Sequence, residues 1–212
     1  MLPTKPAHIL IKNIRQKIIK CFNEMNIPWK EYKEFLVTGE KMACSRLLIK
    51  IHKDNFPGRP IINQIDDPTY LLCKELTRIL MPLKQKAQSY IRSSYHLKTL
   101  IDEIQLQDHY IIMSYDMKDM YPNVPIDETM TVVQKELRYD KTLKERTKWK
   151  PKDILKLLRI CIKTHFYNYE GNIWTQKEGS PVVKSISGVI CCIFVANFEK
   201  EKIFGNISLI YK

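Results

Sequence analysis

Tyr110-Ile111-Ile112-Met113-Ser114-Tyr115-Asp116-Met117-Lys118-Asp119-Met120-Tyr121-Pro122-Asn123-Val124-Pro125 decides how this 212-residue chain is to be read. An apolar run rich in strand-forming residues ends on a carboxylate. An aromatic follows five positions later, then a Pro-Asn-Val-Pro turn and an acidic helix start. The pattern predicts a buried strand that delivers Asp116 to the rim of a sheet, where a carboxylate can hold a divalent cation. An Asx-type turn is the plainer reading of a strand that ends in Asp. What surrounds the stretch separates the two.

Working upstream, residues 47–51 and 59–62 flank Pro57-Gly58 and read as a β-hairpin with cations on both arms, Lys50 and Arg59. Cations on both arms suit a triphosphate, and a guanidinium binds phosphate bidentately. From the residues alone a solvated surface pair is the plainer reading, and His52 and Lys53 suit backbone contact. Residues 70–83 form a helix with Leu72, Leu76, Ile79 and Leu83 on one stripe and Pro82 near its end. A second helix is expected over 97–104, and a basic amphipathic helix over 9–22 docks on the core.

Downstream, Pro125 opens a helix whose first turn carries Asp127 and Glu128 and whose buried stripe is Met130, Val133 and Leu137. Residues 138–152 read as a basic polar connection, and Pro151 opens another helix reaching 164. Glu170-Gly171-Asn172 between two short β-prone runs signals a hairpin. Residues 186–204 form a core helix that emerges into solvent, with Gly205-Asn206 ending it and a further strand beginning at 207.

The ordered set of motifs resembles the reverse transcriptases of Penelope-like retroelements. Asp116 through Pro125 is similar to their first catalytic motif. Leu48-Ile49-Lys50-Ile51-His52-Lys53 with Arg59-Pro60-Ile61 resembles their fingers segment, and Asp67-Pro68-Thr69-Tyr70, Lys74 and Leu80-Met81-Pro82-Leu83 continue the match in order. Gln176 to Gly179 and Ala196-Asn197-Phe198-Glu199 resemble the segment and helix that follow. The match spans about 47–204.

The resemblance implies an α/β (α+β) fold: right-hand polymerase fingers and a partial palm, an antiparallel sheet packed with helices. Residues 1–46 would form an N-terminal helical extension and 47–212 the fingers and palm. The implied activity is RNA-directed DNA polymerisation by two-metal nucleotidyl transfer, with Mg²⁺ as cofactor and an RNA template, a DNA primer and deoxynucleoside triphosphates as partners. Asp116 would be the catalytic carboxylate and metal ligand, with the backbone carbonyl of Met117 beside it. Lys50, Arg59, Tyr121, Gln176 and Gly179 would bind the nucleotide, Tyr121 by setting a rigid ring against the sugar 2′ position. A core aromatic at a turn is the other reading of Tyr121. Asp119 reads as a surface carboxylate.

Two departures from the family pattern stand out. After its Gln the family reads Gly-x-Ala-Met-Gly-Ser-Pro-Leu-Ser-Pro; aligned on Gly179, this chain places Val183 at the second glycine and Gly188 at the last proline, keeping Ser187. No Asp follows Asp153, so the family's Tyr-x-Asp-Asp hairpin is missing, and one carboxylate holds two divalent ions poorly. The expectation is a truncated or decayed chain, inactive alone, with a noncatalytic nucleic-acid-binding remnant as the alternative.

Composition agrees with a polyanion partner without proving one. Lys+Arg of 35 against Asp+Glu of 23 gives a net charge of +12. An inert basic surface is equally compatible with that excess. The six cysteines have no zinc-ligand spacing and read as reduced small hydrophobes. With no apolar run near membrane length and no signal-like start, an intracellular protein is expected, nuclear or cytoplasmic, with no membrane partner.

Overall fold

The computed structural model describes residues 6–36, 42–51, 54–56, 58–65, 67–105, 116–182 and 184–203. Helix α1 (Ala7–Glu24) buries Ile11, Ile14, Ile18, Cys21 and Phe22 and turns its lysines outward, as the amphipathic pattern predicts. Pro28 then fixes the start of the single turn α2 (Trp29–Tyr32). Phe22 stacks on Tyr32 at 4.7 Å and takes the edge of Trp149 at 5.5 Å, so an aromatic cluster ties α1 to a segment far along the chain.

Strands β1 (Ala43–Ile49) and β2 (Gly58–Asn63) pair antiparallel, with Leu48 opposite Arg59 and Ile49 opposite Gly58. The expected hairpin is present. Its connection bends at Asn55 and Phe56, which have φ of 61° and 44°, whereas Gly58 already belongs to β2; Pro57 lies outside the described residues. The ribbon projects from the core. Leu47, Leu48 and Ile49 are consecutive and each is more than half exposed, so neither face of this arm is covered.

Helix α3 (Tyr70–Gln85) buries Leu72, Cys73, Leu76, Ile79, Leu80 and Leu83, the predicted stripe widened by its neighbours. Pro82 sits inside its last turn. Helix α4 (Ser94–Asp102) begins three residues before the expected 97 because Ser93 caps it, its Oγ accepting the His96 N–H at 3.2 Å. It has no buried residue. The turn α5 (Met120–Asn123) leads through buried Val124 into α6 (Ile126–Tyr139), whose inner face is Thr129, Met130, Val133 and Leu137.

The stretch expected as a polar connection after residue 138 is more ordered than its composition implies. It contains the turn α7 (Leu143–Arg146), with Leu143 buried. Asp140 is buried as well, accepting from Lys86 Nζ at 2.7 Å, from Thr142 Oγ1 at 2.8 Å and from Arg146 Nη2. A polar-looking segment can fold inward when every buried lone pair finds a donor. Helix α8 (Pro151–Lys163) opens on Pro151 at its first position and buries Ile154, Leu157, Leu158, Cys161 and Ile162.

Strands β3 (Tyr167–Tyr169) and β4 (Asn172–Trp174) form the second hairpin, its two-residue turn made by Glu170 and Gly171 at φ of 51° and 80°. Helix α9 (Ser185–Phe198), apolar nearly all round, runs through the centre of the core and ends in a π-helical turn, Glu199–Ile203. The strand expected from 207 lies outside the described residues.

The sheet has four strands in the order β2-β1-β3-β4. It is mixed, which corrects the expectation of an antiparallel sheet: β1 runs parallel to β3, with Ala43 opposite Tyr167 and Cys44 opposite Asn168. More than a hundred residues separate those strands, and such a helical crossover permits the parallel orientation that no tight turn could. Helices α3 and α6 pack on α9, and α8 packs on α3 and α6 with α1 on its other side. The expected boundary at 46/47 falls inside β1, and residues of α1 belong to the same core as α3, α8 and α9. No helix among the described residues is long and apolar enough to cross a membrane.

Candidate functional site

The site is built on the chain between Asp116 and Val124. Asp119 takes a left-handed conformation (φ 50°, ψ 49°), which an Asp tolerates better than most residues, and this turns the chain into α5. Asn123 Nδ2 holds the bend by donating to the Asp119 carbonyl at 3.0 Å. Buried Val124 pins the end of the turn to the core. Asp116 and Asp119 are exposed, as is Met117, which leaves the Asp116 carboxylate open to solvent. The preceding strand expected over 110–115 lies outside the described residues.

Against the far side of this turn lies the segment 176–181. The Ser180 N–H donates to the Tyr121 carbonyl at 2.8 Å. Gly179 has φ +73°, and a Cβ there would fall 2.3 Å from the Pro122 carbonyl oxygen and 2.4 Å from that of Tyr121. Only glycine fits. The Gln176 side chain closes the loop from within, its Nε2 donating to the carbonyls of Glu178 at 2.6 Å and Ser180 at 3.0 Å.

His165 supports the same loop. Its Nδ1 lies 2.7 Å from the Ile162 carbonyl, and its Nε2 accepts the Gln176 N–H at 3.1 Å. Since Nε2 accepts, the proton sits on Nδ1 and donates to Ile162, which makes the ring neutral. Burial holds its pKa below the ordinary histidine value. These groups border an open cleft of about 610 Å³ lined by Pro122 to Asp127, Lys163, His165 and Gln176 to Gly179. Asp116 stands outside that lining.

Tyr121 is half-buried and packs against the core, with burial, and secondarily the neighbouring Cys191 and Cys192, raising its phenol pKa. Its hydroxyl is aimed at α9: a Cβ on Gly188 would sit 3.6 Å from that oxygen. The structure therefore brings three of the predicted residues together, Tyr121, Gln176 and Gly179. Lys50 is half-buried just past β1, and no hydrogen bond or ion pair among the described residues links it to the Asp116 turn. Arg59 has its backbone on β2, while its side chain, His52, Lys53 and Val183 lie outside the described residues.

A buried charge that the sequence did not announce stands behind the site. Lys184, 3% exposed, donates from Nζ to Thr69 Oγ1 at 2.6 Å and to the Cys161 carbonyl at 2.8 Å, with Asp67 Oδ1 at 3.5 Å. Asp67 also accepts from the Thr69 N–H at 2.7 Å and from its hydroxyl. This network joins the entrance of α3 to the entrance of α9 and so fixes the segment that carries Gly179. The Cys161 thiol is pushed well up by burial, while its hydrogen bond to Cys73 lowers that partner's. The Asp67-Pro68-Thr69 turn was the available signal, because an Asp with a hydroxyl two residues on forms a local acceptor cage.

Two-metal chemistry needs several oxygen ligands converging on one point. Among the described residues, no group of three or more His, Cys, Asp or Glu side chains is gathered to hold a cation. The described donor set at this turn, the exposed carboxylates of Asp116 and Asp119 with a neighbouring carbonyl, does not fit a two-metal centre. No family model and no curated protein matches this sequence.

Proposed function

We propose that this chain is the fingers and palm portion of a reverse transcriptase of the Penelope-like retroelement type, which binds an RNA template, a DNA primer and the incoming deoxynucleoside triphosphate. The observation that carries the reading is the lock between Gly179-Ser180 and Tyr121-Pro122. The resemblance assigns these two segments, more than fifty residues apart, to one nucleotide, and in the folded chain they touch. Gly179-Ser180-Pro181 also reproduces the family's Gly-Ser-Pro triplet directly.

In this reading the Asp116 carboxylate would serve as a metal ligand in the assembled polymerase. Tyr121 flanks the sugar, and the β1–β2 ribbon carries Lys50 and Arg59 towards the phosphates. The test is equilibrium titration of dATP and of ATP, each with Mg²⁺, into the chain bound to an RNA-template–DNA-primer duplex whose next template base is U. dATP should bind more tightly than ATP, and Tyr121→Ala should bring the two together by admitting the 2′ hydroxyl. Equal affinity for the two nucleotides in the unaltered chain would overturn the reading.

A further inference from the structure

The outer face of α8 is cationic along its whole length. Lys152, Lys156, Arg159 and Lys163 recur at intervals of four, three and four residues, the spacing that places side chains on one helical stripe, and all four are exposed. Lys148 and Lys150 extend the row ahead of the helix. Between residues 148 and 163 the sole acid is Asp153, which faces inward and is 8% exposed. The stripe covers about 16 Å of helix. It runs from a cleft lined by Lys148, Lys150 and Lys152 together with Glu24 and Glu31 to the cleft beside Gly179, lined by Lys163 and Lys177 together with Asp127 and Glu178.

Two carboxylates reach the stripe from neighbouring helices: Glu24 of α1 lies 3.3 Å from Lys156, and Asp127 of α6 lies 3.3 Å from Arg159. All four of these side chains are about half exposed or more, where such pairs are worth little and exchange readily. Lys148, Lys150, Lys152 and Lys163 have no ion-pair partner among the described residues. A row of like charges costs repulsion on folding, and a polyanion laid along it removes that cost.

We infer that the outer face of α8 is a docking surface for the sugar-phosphate backbone of a nucleic-acid duplex, read without regard to base sequence. This rests on the proposed nucleic-acid function and names the surface that holds the duplex outside the nucleotide site. The row is mostly lysines, point charges that contact phosphates, and its one guanidinium, Arg159, is paired with Asp127; it carries no base-reading amide. An anionic membrane fits less well. Surface helices that bind lipid sink an apolar face into it, and the apolar face of α8 is spent in the core, with Ile154, Leu157 and Leu158 fully buried.

The test is binding of a labelled RNA–DNA hybrid duplex to the full chain at a series of salt concentrations. Neutralising the stripe (Lys152→Gln, Lys156→Gln, Arg159→Gln, Lys163→Gln) should flatten the slope of log affinity against log salt by about 3 to 4. A control with the same charge change at Lys30, Lys98, Arg138 and Lys200 should flatten it much less. Thermal unfolding of each variant checks the fold. If the fourfold variant is unfolded, Lys152→Gln/Lys163→Gln, which breaks no ion pair, should flatten the slope by about 2. Equal effects in stripe and control variants would overturn the inference and leave the nucleotide-site reading standing. So would unchanged duplex binding with lost binding to phosphatidylserine vesicles. An unaltered chain that bound no duplex would overturn both readings.

Discussion

The Ser180 N–H donates to the Tyr121 carbonyl oxygen at 2.8 Å, and one residue earlier Gly179 lies so close to Pro122 that no side chain can be placed there. Every property proposed for the site depends on this contact, because it sets the loop that follows β4 against the turn that follows Asp116. The turn itself is short and exposed on its outer side. What fixes it is the glycine, the buried Val124 and the loop that Gln176 closes.

Gly179→Ala should therefore be costly. The new Cβ would meet two carbonyl oxygens well inside contact distance, in a backbone conformation that already disfavours it, and a loss of about 3 kcal/mol or more is expected. Gly171→Ala is the control. Its φ is also positive, at +80°, but nothing lies within 4 Å, so only the left-handed conformation is penalised, at about 1 kcal/mol. Urea unfolding of the two variants measures the difference, and equal losses would show that Gly179 is not tightly packed.

Lys184 and Asp67 form a second coupled pair. Lys184→Met removes the cation from a site where both side chains are almost wholly buried and strands the Asp67 carboxylate, which should destabilise by about 3–5 kcal/mol. Asp67→Asn together with Lys184→Met leaves no buried charge and should recover part of that loss. The double-mutant cycle, read by thermal or urea unfolding, checks it; additive losses would mean the two groups do not interact.

The pH dependence of stability has two separate components. Asp140 loses solvation on burial, but the donors Lys86, Arg146 and Thr142 outweigh that and hold its carboxyl well below the usual range. Its folded pKa is depressed, so the unfolded chain takes up the proton first. The stabilisation is complete above about pH 4 and is lost as pH falls below that. Asp140→Ala should lower stability at pH 7 by about 3 kcal/mol or more, and the gap to the unaltered protein should narrow at pH 3.

His165 acts in a higher window. Burial depresses its folded pKa, and protonating Nε2 would put a second donor opposite the Gln176 N–H that it now accepts. Stability from this group is full above about pH 6.5, the unfolded value, and declines as pH falls towards the folded pKa. Unfolding measured between pH 7 and pH 5 should show a decline that His165→Gln abolishes. A decline unchanged in that variant would assign the effect to another group.

Most of the helices were legible in the sequence, because their apolar stripes recur at helical spacing: 72, 76, 79 and 83 in α3, and 130, 133 and 137 in α6, are all buried as read. The β3–β4 hairpin followed from its turn residues, whereas β1–β2 bends at Asn55 and Phe56, ahead of the Gly58 that the sequence placed in its turn. The parallel pairing of β1 with β3 was not legible, since it depends on where a helical crossover returns the chain and no local pattern encodes that. Nor did any local pattern reveal that the Leu47–Ile49 end of β1 is exposed on both faces. At the site, the sequence picked out Tyr121, Gln176 and Gly179; that Gly179 packs so tightly on the Tyr121 and Pro122 carbonyls that no Cβ fits is visible only in the fold. Lys184 and Asp140 escaped because buried charges look like surface charges until their partners are known, and for Lys184 the partners Asp67 and Thr69 are over a hundred residues away.

The two carboxylates of the 116–125 stretch differ in their settings. Asp116 follows the apolar run and is open to solvent; Asp119 is also exposed, but its backbone is used in a left-handed bend where its carbonyl accepts from Asn123. With one candidate ligand carboxylate among the described residues, the unaltered chain should give no primer extension on an RNA template with Mg²⁺ and deoxynucleotides. Joined to a segment that carries Tyr-x-Asp-Asp, it should extend the primer. Asp116→Ala should then reduce extension by about 100-fold or more, beyond what loss of an outer hydrogen bond to a metal ligand costs, while Asp119→Ala should retain most of it. Gel analysis of the extended primers reads all four proteins. Extension that survives Asp116→Ala would remove Asp116 from the chemistry, and extension lost with Asp119→Ala alone would transfer the role to the bend.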